Sequence, residues 1–289
     1  MKKIVILMAA AFAAANGAHA ATLESLEGSA SEGLSAGFSA AAAGSAGLNG
    51  GLQAVPEPGL PQPVPALFPT PGLACHKPFV YIKADGSIYR HRTLLGRGAT
   101  GFKTGCTENV AWMDRSGYLH RNTDLIGRGV TEYEMTAFTG DVIWTDGGKL
   151  IYRNQGRIGS DVKTYIITAV TGDVIFTDRW DFLYKNTGSD TRIIGSDVKG
   201  YRVSSFTGNV VWIDAHNYLY KTVGTATSRL GSSATEFAIA TISGDVTWKD
   251  GSGCLYKNST RLTRDAKEYG MSPRGVVTWK DSAGVEHTA

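Results

Sequence analysis

This chain contains no compact cluster of metal-binding or catalytic residues, and each missing pattern removes a class of chemistry. Its six histidines include no pair at metal-ligand spacing, so a histidine-based zinc centre has no local frame. His19 falls in the leader described below, and His120 and His287 take the place of a repeated tyrosine. No Ser/His/Asp or Cys/His arrangement can be drawn from spacing. A nucleophile-elbow pattern does occur at Gly33-Leu34-Ser35-Ala36-Gly37, but in low-complexity sequence. The strand–turn–helix that such a serine needs has nothing there to build it. No apolar run exceeds residues 4–15, which is too short to cross a bilayer as a helix. From Cys75 onward 27 basic residues face 22 acidic ones, a mild and scattered excess. A nucleic-acid binder would concentrate it in a stripe. The sequence therefore predicts no cofactor, no metal, no nucleic-acid partner and no enzyme.

The ends differ from the body. The opening MKKIVILMAAAFAAANGAHA joins a basic start to an apolar run and ends in Ala18-His19-Ala20. That is the pattern of an export signal cleaved after Ala20, and it predicts a periplasmic, secreted or cell-surface protein. Residues 21–61 are rich in Ala, Gly and Ser and then in Pro, predicting a disordered linker that stiffens toward its end. Residues 62–289 are assigned to one all-β domain. From Cys75 the composition turns to Tyr, Trp, Val, Ile and Thr with Gly and Asp between.

That domain repeats one phrase. GDVIWTD (140–146) returns as GDVIFTD (172–178), GNVVWID (208–214), GDVTWKD (244–250) and GVVTWKD (275–281). With its aromatic as position 0, the repeat runs Tyr81, Trp112, Trp144, Phe176, Trp212, Trp248 and Trp279. Asp stands at +2 in every copy but the first, which has Lys83. Tyr or His follows at +8, usually after Ile or Leu, and a basic residue at +9 in six copies. An Ile or Leu, mostly followed by Gly, closes the unit, and another aromatic opens the next.

Each unit predicts four short strands, A to D, separated by turn residues. For the third copy these fall near 133–138, 141–145, 150–154 and 157–159. Strand B is apolar on both faces (Val142, Ile143, Trp144), so both faces must be covered. Four-stranded sheets covered on both sides and repeated about an axis make a β-propeller. Seven B strands predict seven blades, with a six-bladed ring and one surplus unit as the alternative. GLAC (72–75) is placed to serve as strand A of the first blade, and QPVPALF (62–68) to supply the strand missing from the last.

The unit IGRGVTEYEMTAFTGDVIWTDGGKLIYRN resembles the repeats of tectonin-type and tachylectin-type propeller lectins in its Trp-bearing strand, its Leu/Ile-Tyr strand and its Ile-Gly step. The resemblance covers residues 75–289 and implies sugar binding or surface recognition. The Asp at +2 departs from the family pattern, so no family ligand site is carried over.

The repeated aromatics are expected to pack between blades. The +2 Asp is expected to accept N–H groups of its own turn, and the +9 cations to lie along solvated blade surfaces. Departures from the repeat point to function. Positions +4 and +5 read Trp180-Asp181 in the fourth copy and His216-Asn217 in the fifth. The connections into these two blades both read GSDVK, giving Asp161 with Lys163 and Asp197 with Lys199. An aromatic platform with acids, amides and lysines suits a carbohydrate, whose ring faces stack and whose hydroxyls bond to carboxylates and amides. The expectation is an exported glycan-binding protein. A protein-interaction scaffold of the periplasm or outer envelope is the alternative, and a hydrolase the third reading. Cys75 and Cys106 each stand six residues before a position 0 and are expected to form a disulfide between the first two blades. Cys254 is left as a buried thiol.

Overall fold

The computed structural model describes residues 75–188 and 190–289. The expected export signal, the linker, the strand at 62–68 and the first three residues of GLAC lie outside the described residues. Twenty-six strands form seven antiparallel sheets, five of four strands and two, the first and last, of three. This is a β-propeller of seven blades. Blade 3, for example, is built from Val130–Met135, Val142–Asp146, Ile151–Arg153 and Gly156–Gly159, its strands A to D. Strand A ends earlier than the sequence suggests because Thr136 leaves the ladder. Its hydroxyl accepts the Asp141 N–H at 2.8 Å and ties off the A–B loop.

Antiparallel pairing places one aromatic from each inner strand in a row across the blade. In blade 5, Tyr201 faces Trp212, Trp212 faces Tyr220, and Tyr220 faces Arg229. The B and C rings stack, with centroids 4.2 Å apart in blade 5 and 3.9 Å in blade 3. The row of one blade then packs on the aliphatic face of the blade before it. Trp212 and Val210 lie against Ile166, Ile175, Leu183 and Ile194 of blade 4. Burying such a ring stabilises by roughly 2–3 kcal/mol before entropy is counted.

The Ile-Gly step has its explanation in this contact. A Cβ at Gly195 would stand 2.8 Å from Trp212 of the next blade, and one at Gly127 would stand 3.0 Å from Trp144. Leu262 is instead followed by Thr263, and the ring it leads to, Trp279, is the one tryptophan of the row that is only half buried.

Four of the row's indole N–H groups also have a fixed acceptor. Trp112, Trp144 and Trp248 donate to the carbonyls of Asn122, Asn154 and Asn258 at 2.6–2.8 Å. These asparagines sit at φ near +50° in the C–D turn, a conformation Asn tolerates, and their side chains accept a strand B N–H. The +2 Asp works as expected. Asp178 Oδ1 accepts N–H bonds from Trp180 and Phe182 at 2.9 and 3.0 Å, and Oδ2 accepts the Tyr184 hydroxyl at 3.0 Å. His120 and His287 make the corresponding contact in their blades.

Cys75 and Cys106 are bonded, with Cα atoms 4.7 Å apart. Neither lies in a strand: Cys106 opens the A–B loop of blade 2, where its N–H bonds to Ala137 of blade 3. Cys254 is a buried free thiol. The +9 cations do not form a solvated face. Lys185 is 2% exposed, pairs with Asp173 at 3.1 Å and donates to Gly208 O of blade 5 at 2.7 Å. Arg153 bonds both Asp141 and Asn186 of the next blade. Burial would push the Asp141 carboxyl up, but bonds from Asn154, Arg153 and Thr139 hold it below the usual range. These cations bridge blades.

Candidate functional site

The B–C turns and the D–A connections meet on one face. The N–H opening strand A of a blade bonds the carbonyl at +5 of the blade before it: Val162 to Lys149, Val198 to Asp181 and Ala234 to Asn217, each at 3.0 Å. That carbonyl is presented by a left-handed residue. Asp181 and Asn217 have φ of +63°, where other copies place Gly86, Gly117, Gly253 and Gly284. Asp161 and Asp197, both at +53°, likewise hold the position of Gly98 and Gly129. Asx residues tolerate this region. These four residues therefore have a conformational reason to be present, which the sequence pattern alone did not separate from a binding role.

Their side chains are nonetheless drawn into two adjoining clusters. In blade 4, Lys163 pairs with Asp181 at 2.5 Å, and Arg179 lies 3.4 Å from Asp161. The Arg179 guanidinium stands over the Trp180 ring, 4.0 Å from its centroid. In blade 5, Lys199 repeats the Lys163 geometry, donating to Asn217 Oδ1 at 2.9 Å, and His216 lies beside Tyr218 with ring centroids 6.4 Å apart. Asp197 is held beside the blade 4 cluster through its neighbour Val198, whose N–H donates to the Asp181 carbonyl.

Trp180 is 55% exposed although its own N–H is fixed by Asp178. The turn thus holds a rigid stalk under an indole that packs into no core. Phe182, two residues on, is also exposed along part of its ring. Arg179 and Phe182 are the members of this surface that sequence reasoning missed. The available signal was their position, flanking the one tryptophan outside the repeat register. Among the described residues no group of three or more His, Cys, Asp or Glu could hold a metal ion.

No protein-family model matches the chain, and no curated protein matches it. Among solved structures it is similar to YCF48 bound to a D1 peptide, with 10% identity, 63% of this chain and 75% of that chain covered, and a TM-score of 0.32. It is also similar to the computationally designed Ika8 protein, with 12% identity, coverage of 72% and 79%, and a TM-score of 0.33.

Proposed function

We propose that this chain is an exported, non-catalytic recognition module that binds carbohydrate through the B–C/D–A face of blades 4 and 5. The observation that carries this reading is Trp180. It is an exposed indole on a hydrogen-bonded turn, with one side supported by Arg179 and acids, an amide and lysines around it. A sugar offers an apolar ring face for the indole and hydroxyls for Asp181, Asn217, Lys163 and Lys199. Those polar groups are already paired with one another, so they are oriented in advance and lose little freedom on binding.

A glycan array probed with the mature chain tests this. Binding that falls about tenfold or more in Trp180→Ala supports the site, since that loss exceeds what an uninvolved surface residue contributes. Lys77, exposed and remote from this face in sequence, serves as the control. Lys185 cannot, because it is buried. Binding to no glycan overturns the reading. A second reading, recognition of a protein partner, is favoured by the grouping of Trp180, Arg179 and Phe182. Tryptophan and arginine are the residue types that dominate protein interfaces.

A further inference from the structure

A second concavity lies between blades 3 and 4. It encloses about 410 Å³, within the range of small-ligand pockets, and its lining includes Thr131, Glu132, Asp146, Lys149, Lys163 and Tyr165. Its polar groups do not balance, and the repeat shows what is out of place.

The strand A tyrosine of a blade normally reaches back to the blade before it, to the residue preceding that blade's strand A aromatic. Tyr201 Oη meets Thr164 Oγ1 at 3.2 Å, and Tyr269 donates to Glu236 Oε2 at 3.2 Å. Tyr165 occupies the same place in blade 4, and the residue due to receive it is Glu132 of blade 3. Yet the Tyr165 hydroxyl is buried with no hydrogen-bond partner, while the residue is 1% exposed. Glu132 has no hydrogen bond or ion pair either. The other charges are committed: Lys103 to Glu134, Lys163 to Asp181, and Asp146 to Gly148 N, Leu150 N and the Tyr152 hydroxyl. The pocket therefore holds an unpaired carboxylate close to an orphaned phenol oxygen. Buried polar groups are almost always satisfied, so the Tyr165 hydroxyl lacks a partner, and beside it the exposed Glu132 carboxylate has no cation paired to it.

We infer that the pocket binds a protonated amine, with Glu132 as its counter-ion and the Tyr165 hydroxyl oxygen as a hydrogen-bond acceptor. An ammonium group has several donors, enough to pair with the Glu132 carboxylate and to bond a lone pair of the Tyr165 oxygen at once. The remaining lone pairs of the Thr131 and Thr164 hydroxyls, which already bond Thr145 and Thr177, can take a further donor. Partial burial pushes the Glu132 carboxyl up, opposed by Lys103 and reinforced by the like charge of Glu134. Lys149 is exposed on the adjoining turn and opposes a cation, so it sets a limit on affinity. This ligand is independent of the carbohydrate reading and does not involve Trp180.

The test is an NMR titration of the mature chain with n-butylammonium, with Nα-acetyl-lysine methylamide and with neutral n-butanol. Both ammonium probes are expected to saturate, and butanol is not. Tighter binding of the lysine derivative assigns the source to a lysine side chain of a peptide, and tighter binding of butylammonium to a free amine. Glu132→Gln, at an exposed position, is expected to weaken the ammonium probe by about tenfold or more, the effect of a lost charged hydrogen bond. Tyr165→Phe is expected to weaken it by about three- to tenfold while raising the thermal midpoint, because an unsatisfied buried hydroxyl disappears. A purely structural tyrosine would not give those opposite signs. Lys149→Ala should tighten binding, and Trp180→Ala should leave it unchanged. Equal binding of butanol, absence of saturation, or unchanged affinity in both Glu132→Gln and Tyr165→Phe overturns the inference.

Discussion

Two tryptophans in adjoining blades show how one residue type serves two ends. Trp212 of blade 5 is 5% exposed, lies over Gly195 of blade 4, stacks on Tyr220 and directs its N–H to Thr222. Trp180 of blade 4 is 55% exposed and touches an arginine. The stacked C-strand ring recurs in every blade and the glycine beneath the indole in most, whereas the setting of Trp180 occurs once. In a repeat protein, recurrence marks what the neighbouring unit requires, and departure marks what is free to face a ligand.

The contrast can be broken most strongly at the seam. Trp212→Ala should destabilise the domain by about 3–5 kcal/mol, the usual loss for an aromatic removed from a core, read as a lower midpoint in chemical denaturation. Filling the same seam from below should have a smaller effect. Gly195→Ala places a Cβ 2.8 Å from Trp212 and should lose about 1–3 kcal/mol through overpacking. Gly101→Ala, with nothing within 4 Å of its new Cβ, should stay within about 0.5 kcal/mol in the same assay.

The turn beneath the loops should respond more weakly and through pH. Burial pushes Asp114 and Asp250 up, but hydrogen bonds within their turns hold both below the ordinary 3.8. A depressed folded-state pKa means that the unfolded chain binds protons first. Stability is thus complete above about pH 4 and declines as pH falls through the folded values. Asp250→Asn should lower stability at neutral pH by about 0.5–1.5 kcal/mol and flatten that acid decline, followed by thermal melts from pH 6 to about pH 2. Least disturbing to the fold is Trp180→Ala, which should change stability by no more than about 0.5 kcal/mol while weakening the proposed carbohydrate binding about tenfold or more.

Much of this architecture was legible because it is written repeatedly. The spacing of Trp112, Trp144 and Trp212 gave the blades, the unbroken apolar run Val142-Ile143-Trp144 gave a doubly covered strand, and Cys75 and Cys106 gave the disulfide. The role of Asp181 and Asn217 was less open to view. Aligned with Gly86 and Gly117 they look like exceptions that invite a ligand, and only the backbone φ shows that they replace glycine in a left-handed turn. Lys185 was misplaced because a basic residue usually stays in water, and its partners Asp173 and Gly208 come from distant segments. The Glu132–Tyr165 pocket had no sequence signal at all. An orphaned hydroxyl is a property of two blades in register, visible only once the successful pairings of Tyr201 and Tyr269 are known.

Blade 7 presents a different outward side from its predecessors. Where the others offer aliphatic residues to the next aromatic row, it carries Thr278 and Glu286, with Lys280 paired to Glu286 at 3.5 Å, all three exposed. In blade 1, Phe79 is 66% exposed beside Tyr81. Repeated units carry similar packing surfaces, and a head-to-tail contact between molecules that fails to close would propagate as a fibre. A charged flank gives a neighbouring molecule's Phe79 and Tyr81 no apolar surface to bury against, which disfavours such a contact.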